Sequence, residues 1–164
     1  MRITLNCSEA LYLALRGKPL PPGLEFVELR GDVVTAALDL REIPSASRRV
    51  KLAAAAVGTV RLEATFEHFE AGTATFSLAA QARGLPAHKV LNLVTGHLDD
   101  ALADGLRAQG LPSDLLAVAQ GNDGPCLEVH LDAAAALVLP GTRVTALDVG
   151  AGQIHVDAQL PGAE

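Results

Sequence analysis

Residues 59–82, TVRLEATFEHFEAGTATFSLAAQA, decide how this chain is predicted to fold. Apolar side chains occupy every second position on both sides of a turn at Glu70-Ala71-Gly72, and this period of two is typical of β-strands. One face of the resulting hairpin is apolar and the other is polar, as in an antiparallel sheet that is covered on one side. The apolar positions are Leu62, Ala64, Phe66, Ala74, Phe76, Leu78 and Ala80.

Two further hairpins are predicted on either side of this one. Residues 24–40 contain two strand-like runs around Gly31-Asp32, and residues 142–160 contain two more around Gly150-Ala151-Gly152. Short glycine-containing turns between alternating segments are the usual sign of a hairpin. Residues 48–57 are rich in alanine and lack a clear period, so helix and strand both stay open there.

One long amphipathic helix is predicted at about residues 87–109. Its apolar positions recur every three or four residues, which is the helical period, and Gly110 with Pro112 supplies a stop. The sequence therefore predicts a single α+β domain over residues 1–164. Its architecture is a curved antiparallel sheet of glycine-punctuated hairpins packed on one long amphipathic helix.

Composition and charge limit the partners of the chain. The net charge is −6, which disfavours binding to a phosphate backbone, so no nucleic-acid partner is expected. No apolar run approaches the roughly 18 residues of a membrane span, and no leader peptide is recognisable, so we expect a cytoplasmic protein without an integral membrane segment. Cys7 and Cys126 are then expected to be free thiols.

The sequence contains no motif for catalysis or for metal binding. No nucleophile motif is present, and the five histidines lack the spacing of metal ligands. His97, Asp100 and Asp104 share one face of the predicted helix, which we interpret as a solvated acidic face. We therefore expect no enzyme activity, no cofactor and no metal.

Two segments resemble a known class of proteins. Residues 60–86, VRLEATFEHFEAGTATFSLAAQARGLP, lead into the amphipathic helix, and residues 126–160, CLEVHLDAAAALVLPGTRVTALDVGAGQIHVDAQL, follow it. Together this pattern, over residues 59–160, resembles small bacterial proteins of the tubular lipid-binding (TULIP-like) class. The resemblance implies a curved sheet wrapped around a long helix, with a lipid-like ligand held in the groove between them.

The predicted site is an apolar groove between the helix and the sheet. Small residues on both surfaces leave a space that an apolar guest can fill. Its predicted ligand-binding residues are Phe66, Phe76, Leu78, Leu91, Val94, Leu98, Ala101, Leu102 and Val156. The alternative is a structural or interaction protein that covers the same apolar surface in a homodimer and binds no ligand.

Overall fold

The computed structural model describes residues 1–42 and 48–162, without the side chains at positions 49, 50, 53, 54, 93 and 97. Its strands are β1 (Arg2–Asn6), β2 (Leu24–Arg30), β3 (Val33–Asp39), β4 (Thr59–Glu70), β5 (Thr73–Gln81), β6 (Leu116–Gly121), β7 (Gly124–His130), β8 (Arg143–Gly150) and β9 (Gln153–Gln159). Its helices are α1 (Cys7–Ala14), α2 (Arg48–Val57), α3 (Ala87–Ala108), α4 (Leu131–Val138) and a 3₁₀ turn at Leu40–Glu42. Residues 48–57, which the sequence left open, are thus helical.

The strands form two antiparallel sheets. The larger has the order β2-β3-β4-β5-β7-β6, and the smaller has the order β1-β9-β8. All three predicted hairpins are present, and the longest joins β4 to β5 with Ala64 opposite Leu78. Phe66 lies opposite Phe76 in the same hairpin, and their rings meet edge to face with centroids 5.6 Å apart.

The predicted fold class, one curved sheet packed on one long helix, is wrong. Strands contain more of the described residues than helices do, and the helical residues are divided among four α-helices in residues 1–42 and 48–162. The segment predicted as the single helix is helical from Ala87 to Ala108, but it packs mainly on β5 and β6. The last hairpin stays outside the larger sheet because β9 pairs with β1, where Ile3 lies opposite Val156. Alternation identifies a strand and its faces, but it does not identify the partner strand.

The core lies where the first half of α3 meets the larger sheet. Val90 and Val94 of α3 are buried against Val60, Ala80 and Leu40. Full burial of a valine side chain contributes about 1.5 to 3 kcal/mol, so these contacts hold α3 on the sheet. The far end of α3 stops at Gly110, whose φ of 71° lets the Leu111 amide donate back to the Leu106 carbonyl.

Asp132 joins the two sheets. The first amides of α4, from Leu131 and Asp132, donate to the Gly72 carbonyl in the β4–β5 turn. The Asp132 carboxylate accepts the amide of Val144 on β8 at 2.7 Å. These bonds place α4 between the β4–β5 turn of the larger sheet and β8 of the smaller one.

Candidate functional site: an apolar cavity beside α3

A cavity of about 1030 Å³ lies beside α3. It lies between the second half of α3, the segment that joins α1 to β2, the β6–β7 edge of the larger sheet and α4. Its apolar lining is Leu13, Ala14, Leu15, Pro19, Leu20, Pro21, Pro22, Leu24, Leu38, Leu40, Val94, Leu98, Ala101, Leu102, Gly105, Leu106, Ala108, Leu111, Leu115, Leu116, Val129, Ala134, Leu137 and Val138. Its polar lining is Arg16, Lys18, Asp100, Asp104 and Gln109. The walls are therefore almost entirely aliphatic.

Small residues on α3 create the space. Ala101, Gly105 and Ala108 recur on the cavity side of the helix, one turn apart. A Cβ added at Gly105 would meet no heavy atom within 4 Å apart from the helix's own backbone. Leu98, Leu102 and Leu106 of the same apolar face also line the cavity, and they do not fill the space beside these small residues.

Paired strand residues form the floor of the cavity. Leu24 lies opposite Leu38 at one edge of the larger sheet, and Leu116 lies opposite Val129 at the other. Residues opposite one another in antiparallel strands point to the same face of the sheet. The cavity thus extends between the two edges on the face that carries α3.

A proline-rich segment closes one side of the cavity. Residues 18–23 contain three prolines, and proline fixes φ near −65° and removes an amide donor. The segment is held by backbone bonds from Leu24 to the Pro21 carbonyl and from Asp39 to the Gly23 carbonyl. It is therefore a restrained wall rather than a free loop.

The rim of the cavity carries exposed apolar side chains. Val138 of α4 is 85% exposed and Leu13 of α1 is 59% exposed, and Leu137 is also exposed. A group of exposed aliphatic side chains around an opening is typical of a binding site.

The charged lining residues lie on two elements. Arg16 and Lys18 lie on the α1–β2 segment, and Asp100 and Asp104 lie on α3. Asp104 accepts a hydrogen bond from Arg107 at 2.6 Å, which neutralises its charge locally. The structure thus places Asp100 and Asp104 at the cavity, whereas the sequence suggested only a solvated face. The side chain of His97 is not among those that the structure describes.

The structure places four of the nine predicted ligand-binding residues on the cavity wall. These are Val94, Leu98, Ala101 and Leu102.

The other five do not line the cavity. Leu91 packs against the core cluster, while Phe66, Phe76 and Leu78 lie together on β4 and β5. Val156 lies on the smaller sheet between Ile3 and Leu147. The sequence indicates a proline-rich connection at residues 18–23 and is compatible with a short helix over residues 132–139, but it assigned neither segment to the site.

Within residues 1–42 and 48–162, the other polar groups described below do not form a comparable site. A depression of about 300 Å³ contains His130 and Asp132, but Nδ1 of His130 is bonded to Oγ1 of Thr73 at 3.1 Å and Asp132 holds β8. Among the residues that the structure describes, no three His, Cys, Asp or Glu side chains lie close enough to hold a metal ion. Cys7 and Cys126 are free, and burial raises the pKa of both thiols, which keeps them protonated at neutral pH.

Comparisons with protein-family models, with curated proteins and with solved structures found no match to this chain. The resemblance to tubular lipid-binding proteins therefore stays a prediction. Within residues 1–42 and 48–162, no helix is both long enough and apolar enough to cross a membrane.

Proposed function

We propose that this chain binds an apolar, lipid-like small molecule in the cavity beside α3, without catalysing a reaction on it. The observation that carries the proposal is an aliphatic cavity of about 1030 Å³. Binding pockets for small molecules occupy about 300 to 1,000 Å³ and are mostly apolar with a few polar groups. The cavity has that size and that composition.

The walls set the kind of ligand. They offer aliphatic contact from α3, from the sheet and from the proline-rich segment, and few hydrogen-bonding groups. Burial of each methylene group contributes about 0.8 kcal/mol, so alkyl chains gain affinity here while polar molecules lose their hydration without replacement. The pattern-based resemblance of residues 59–160 to tubular lipid-binding proteins agrees with this choice of ligand.

Binding of an uncharged apolar dye tests the proposal directly. We expect N-phenyl-1-naphthylamine to bind the wild-type protein in a saturable manner, and native mass spectrometry to detect any lipid that copurifies. Ala101→Phe should weaken dye binding by about tenfold or more, because Ala101 lines the cavity.

Asn92→Phe is the matched control. Asn92 is exposed on α3 and lies outside the cavity lining. This variant should retain dye binding within about twofold of wild type. Wild-type protein that binds no dye and carries no lipid would refute the proposal.

A homodimer is the second candidate function, and the exposed rim favours it. Leu13, Leu137 and Val138 present aliphatic surface that a second copy could cover. If the rim is an interface, sedimentation equilibrium should give a dimer that Val138→Asp dissociates and that Leu52→Asp, at an exposed leucine on α2, leaves intact. A wild-type monomer at high concentration would exclude this candidate.

We also propose that the protein acts in the cytoplasm. Its two cysteines are both free in the structure, and free thiols are usual in reducing compartments.

A further inference from the structure

We propose that the ligand of the cavity is an amphiphile with an anionic head group, which Arg16 and Lys18 bind at the α1–β2 segment. This inference rests on the proposed function, because it assigns the polar end of the same ligand. Both side chains line the cavity. Neither makes a side-chain hydrogen bond or an ion pair with another part of the chain that the structure describes.

The charges around the cavity favour an anion near Arg16 and Lys18. The two carboxylates that line it, Asp100 and Asp104, both lie on α3, and Asp104 is already paired with Arg107. The α1–β2 side therefore carries two positive charges with no internal partner. An alkyl chain in the aliphatic space with its head group on this side would satisfy both.

Backbone hydrogen bonds fix the main chain that carries Arg16 and Lys18. The Gly17 amide donates to the Tyr12 carbonyl and the Lys18 amide donates to the Leu15 carbonyl, each at 2.9 Å. The two side chains thus extend from a hydrogen-bonded turn at the end of α1, which lowers the conformational cost of binding an anion.

Arg16 occupies a position that favours glycine. Its φ is 52°, in the left-handed region, and Gly17 follows with a φ of 72°. A residue other than glycine pays a conformational cost in that region, and asparagine or glycine fits it better. This φ belongs to the turn that ends α1, and Ala71 and Ala151 adopt the same region in hairpin turns.

The chemistry of the two groups defines the head group. A guanidinium binds carboxylate or phosphate oxygens through two parallel N–H donors, and the ammonium of lysine adds a point charge. Carboxylates and phosphate esters share this chemistry, so the test includes both.

Displacement of bound N-phenyl-1-naphthylamine measures the head-group preference, because this dye carries no charge. The competitors are dodecanoate, dodecyl phosphate, dodecanol and dodecyltrimethylammonium, all with the same alkyl chain. We expect dodecanoate or dodecyl phosphate to bind about tenfold more tightly than dodecanol. The tighter of these two anions identifies the head group as a carboxylate or as a phosphate ester.

Substitutions test whether Arg16 and Lys18 cause the preference for an anionic head group. Arg16→Gln with Lys18→Gln should remove the preference for the anions and leave dodecanol affinity within about twofold of wild type. Arg16→Lys should keep most of the preference. Arg83→Gln, at an exposed arginine outside the cavity lining, should change nothing. Because dodecanol binding is measured on each variant, a folding defect cannot be mistaken for loss of the head-group contact.

The results distinguish failure of the head-group assignment from failure of the proposed function. If the dye binds and the four competitors bind equally, or the cation binds most tightly, the head-group assignment is overturned and the proposed function stands. The same holds if the double variant keeps the anion preference. If neither dye nor competitors bind, both proposals fail.

Discussion

The two halves of α3 face different surroundings, although the same apolar stripe runs along both. In the first half, the exposed fraction is 0% for Val90 and 2% for Val94. In the second half, Leu102 and Leu106 are only partly buried and line an open space. A helical period thus identifies the face that turns inward, but the side-chain volumes of that face and of its partners decide whether it is packed or left open.

A pair of truncations sharpens this comparison most strongly. Val90→Ala should lower the free energy of unfolding by about 2 to 3 kcal/mol, since it leaves a void in packed surroundings. Leu102→Ala removes more atoms, yet it should cost less than about 1 kcal/mol, because its side chain borders space that already exists. Urea denaturation measures both. If Leu102→Ala costs more than Val90→Ala, the second half of α3 is packed and the cavity is closed in solution.

Enlarging one side chain in each region tests the same difference from the other direction. Ala80 is 2% exposed in the core, so Ala80→Leu should cost about 1 to 3 kcal/mol through overpacking. Ala101→Leu adds the same atoms beside the cavity and should leave the free energy of unfolding within about 0.5 kcal/mol of wild type or raise it. Thermal melts of both variants check this. A loss of more than about 1 kcal/mol for Ala101→Leu would contradict an open space there.

Two ion pairs extend the comparison to charge. Asp39 lies beside Leu40 of the packed core, and its side chain is 7% exposed. It accepts two side-chain hydrogen bonds from Arg41, and these bonds hold the pKa of Asp39 below its ordinary value. The folded state therefore favours the carboxylate. Its stabilisation is complete above about pH 4, the ordinary range for Asp, and is lost as the pH falls through the lower pKa of the folded state.

Asp39→Asn should accordingly cost about 1 to 2 kcal/mol at pH 7. The difference from wild type should shrink as the pH falls below about 4. Asp104→Asn, in the second half of α3, breaks the exposed pair with Arg107. It should lower the free energy of unfolding by at most about 0.5 kcal/mol. Denaturation curves measured from pH 7 to pH 2 separate the two variants. An equal cost for both would show that the two pairs are equally solvated.

The hairpins and the helix positions could be predicted from the sequence because their signals are local. Alternation at Leu62, Ala64 and Phe66 marks a strand, and Gly72 marks its turn. The same reasoning found Val94, Leu98, Ala101 and Leu102, since residues on the apolar face of a helix turn toward the interior.

The rest of the site depends on contacts between distant segments. Val156 was expected at the groove because its strand has an apolar face, but pairing of β9 with β1 removes it from the larger sheet. The proline-rich wall at residues 18–23 has no period from which to infer its position. Nothing local in the run that contains Leu137 and Val138 distinguishes a helix at the rim of a cavity from a buried one.

The smallest expected effect concerns Gly105, at the centre of the open half of α3. Glycine in a helix interior costs about 0.5 to 1 kcal/mol relative to alanine, because it loses more backbone entropy on folding. A Cβ at Gly105 meets no heavy atom within 4 Å apart from the helix's own backbone. Its φ is also not in the left-handed region. Gly105→Ala should therefore raise the free energy of unfolding by about that amount.

Gly96→Ala is the control, because Gly96 lies in the first half of the same helix. Its Cβ would likewise meet nothing within 4 Å, yet Gly96 is exposed and outside the cavity lining. Both variants should gain the same stability, by about 0.5 to 1 kcal/mol. Only Gly105→Ala adds a methyl group to the cavity wall, so only that variant should alter dye binding. A loss of stability at Gly105 with a gain at Gly96 would mean that another part of the chain fills the space beside Gly105 in solution.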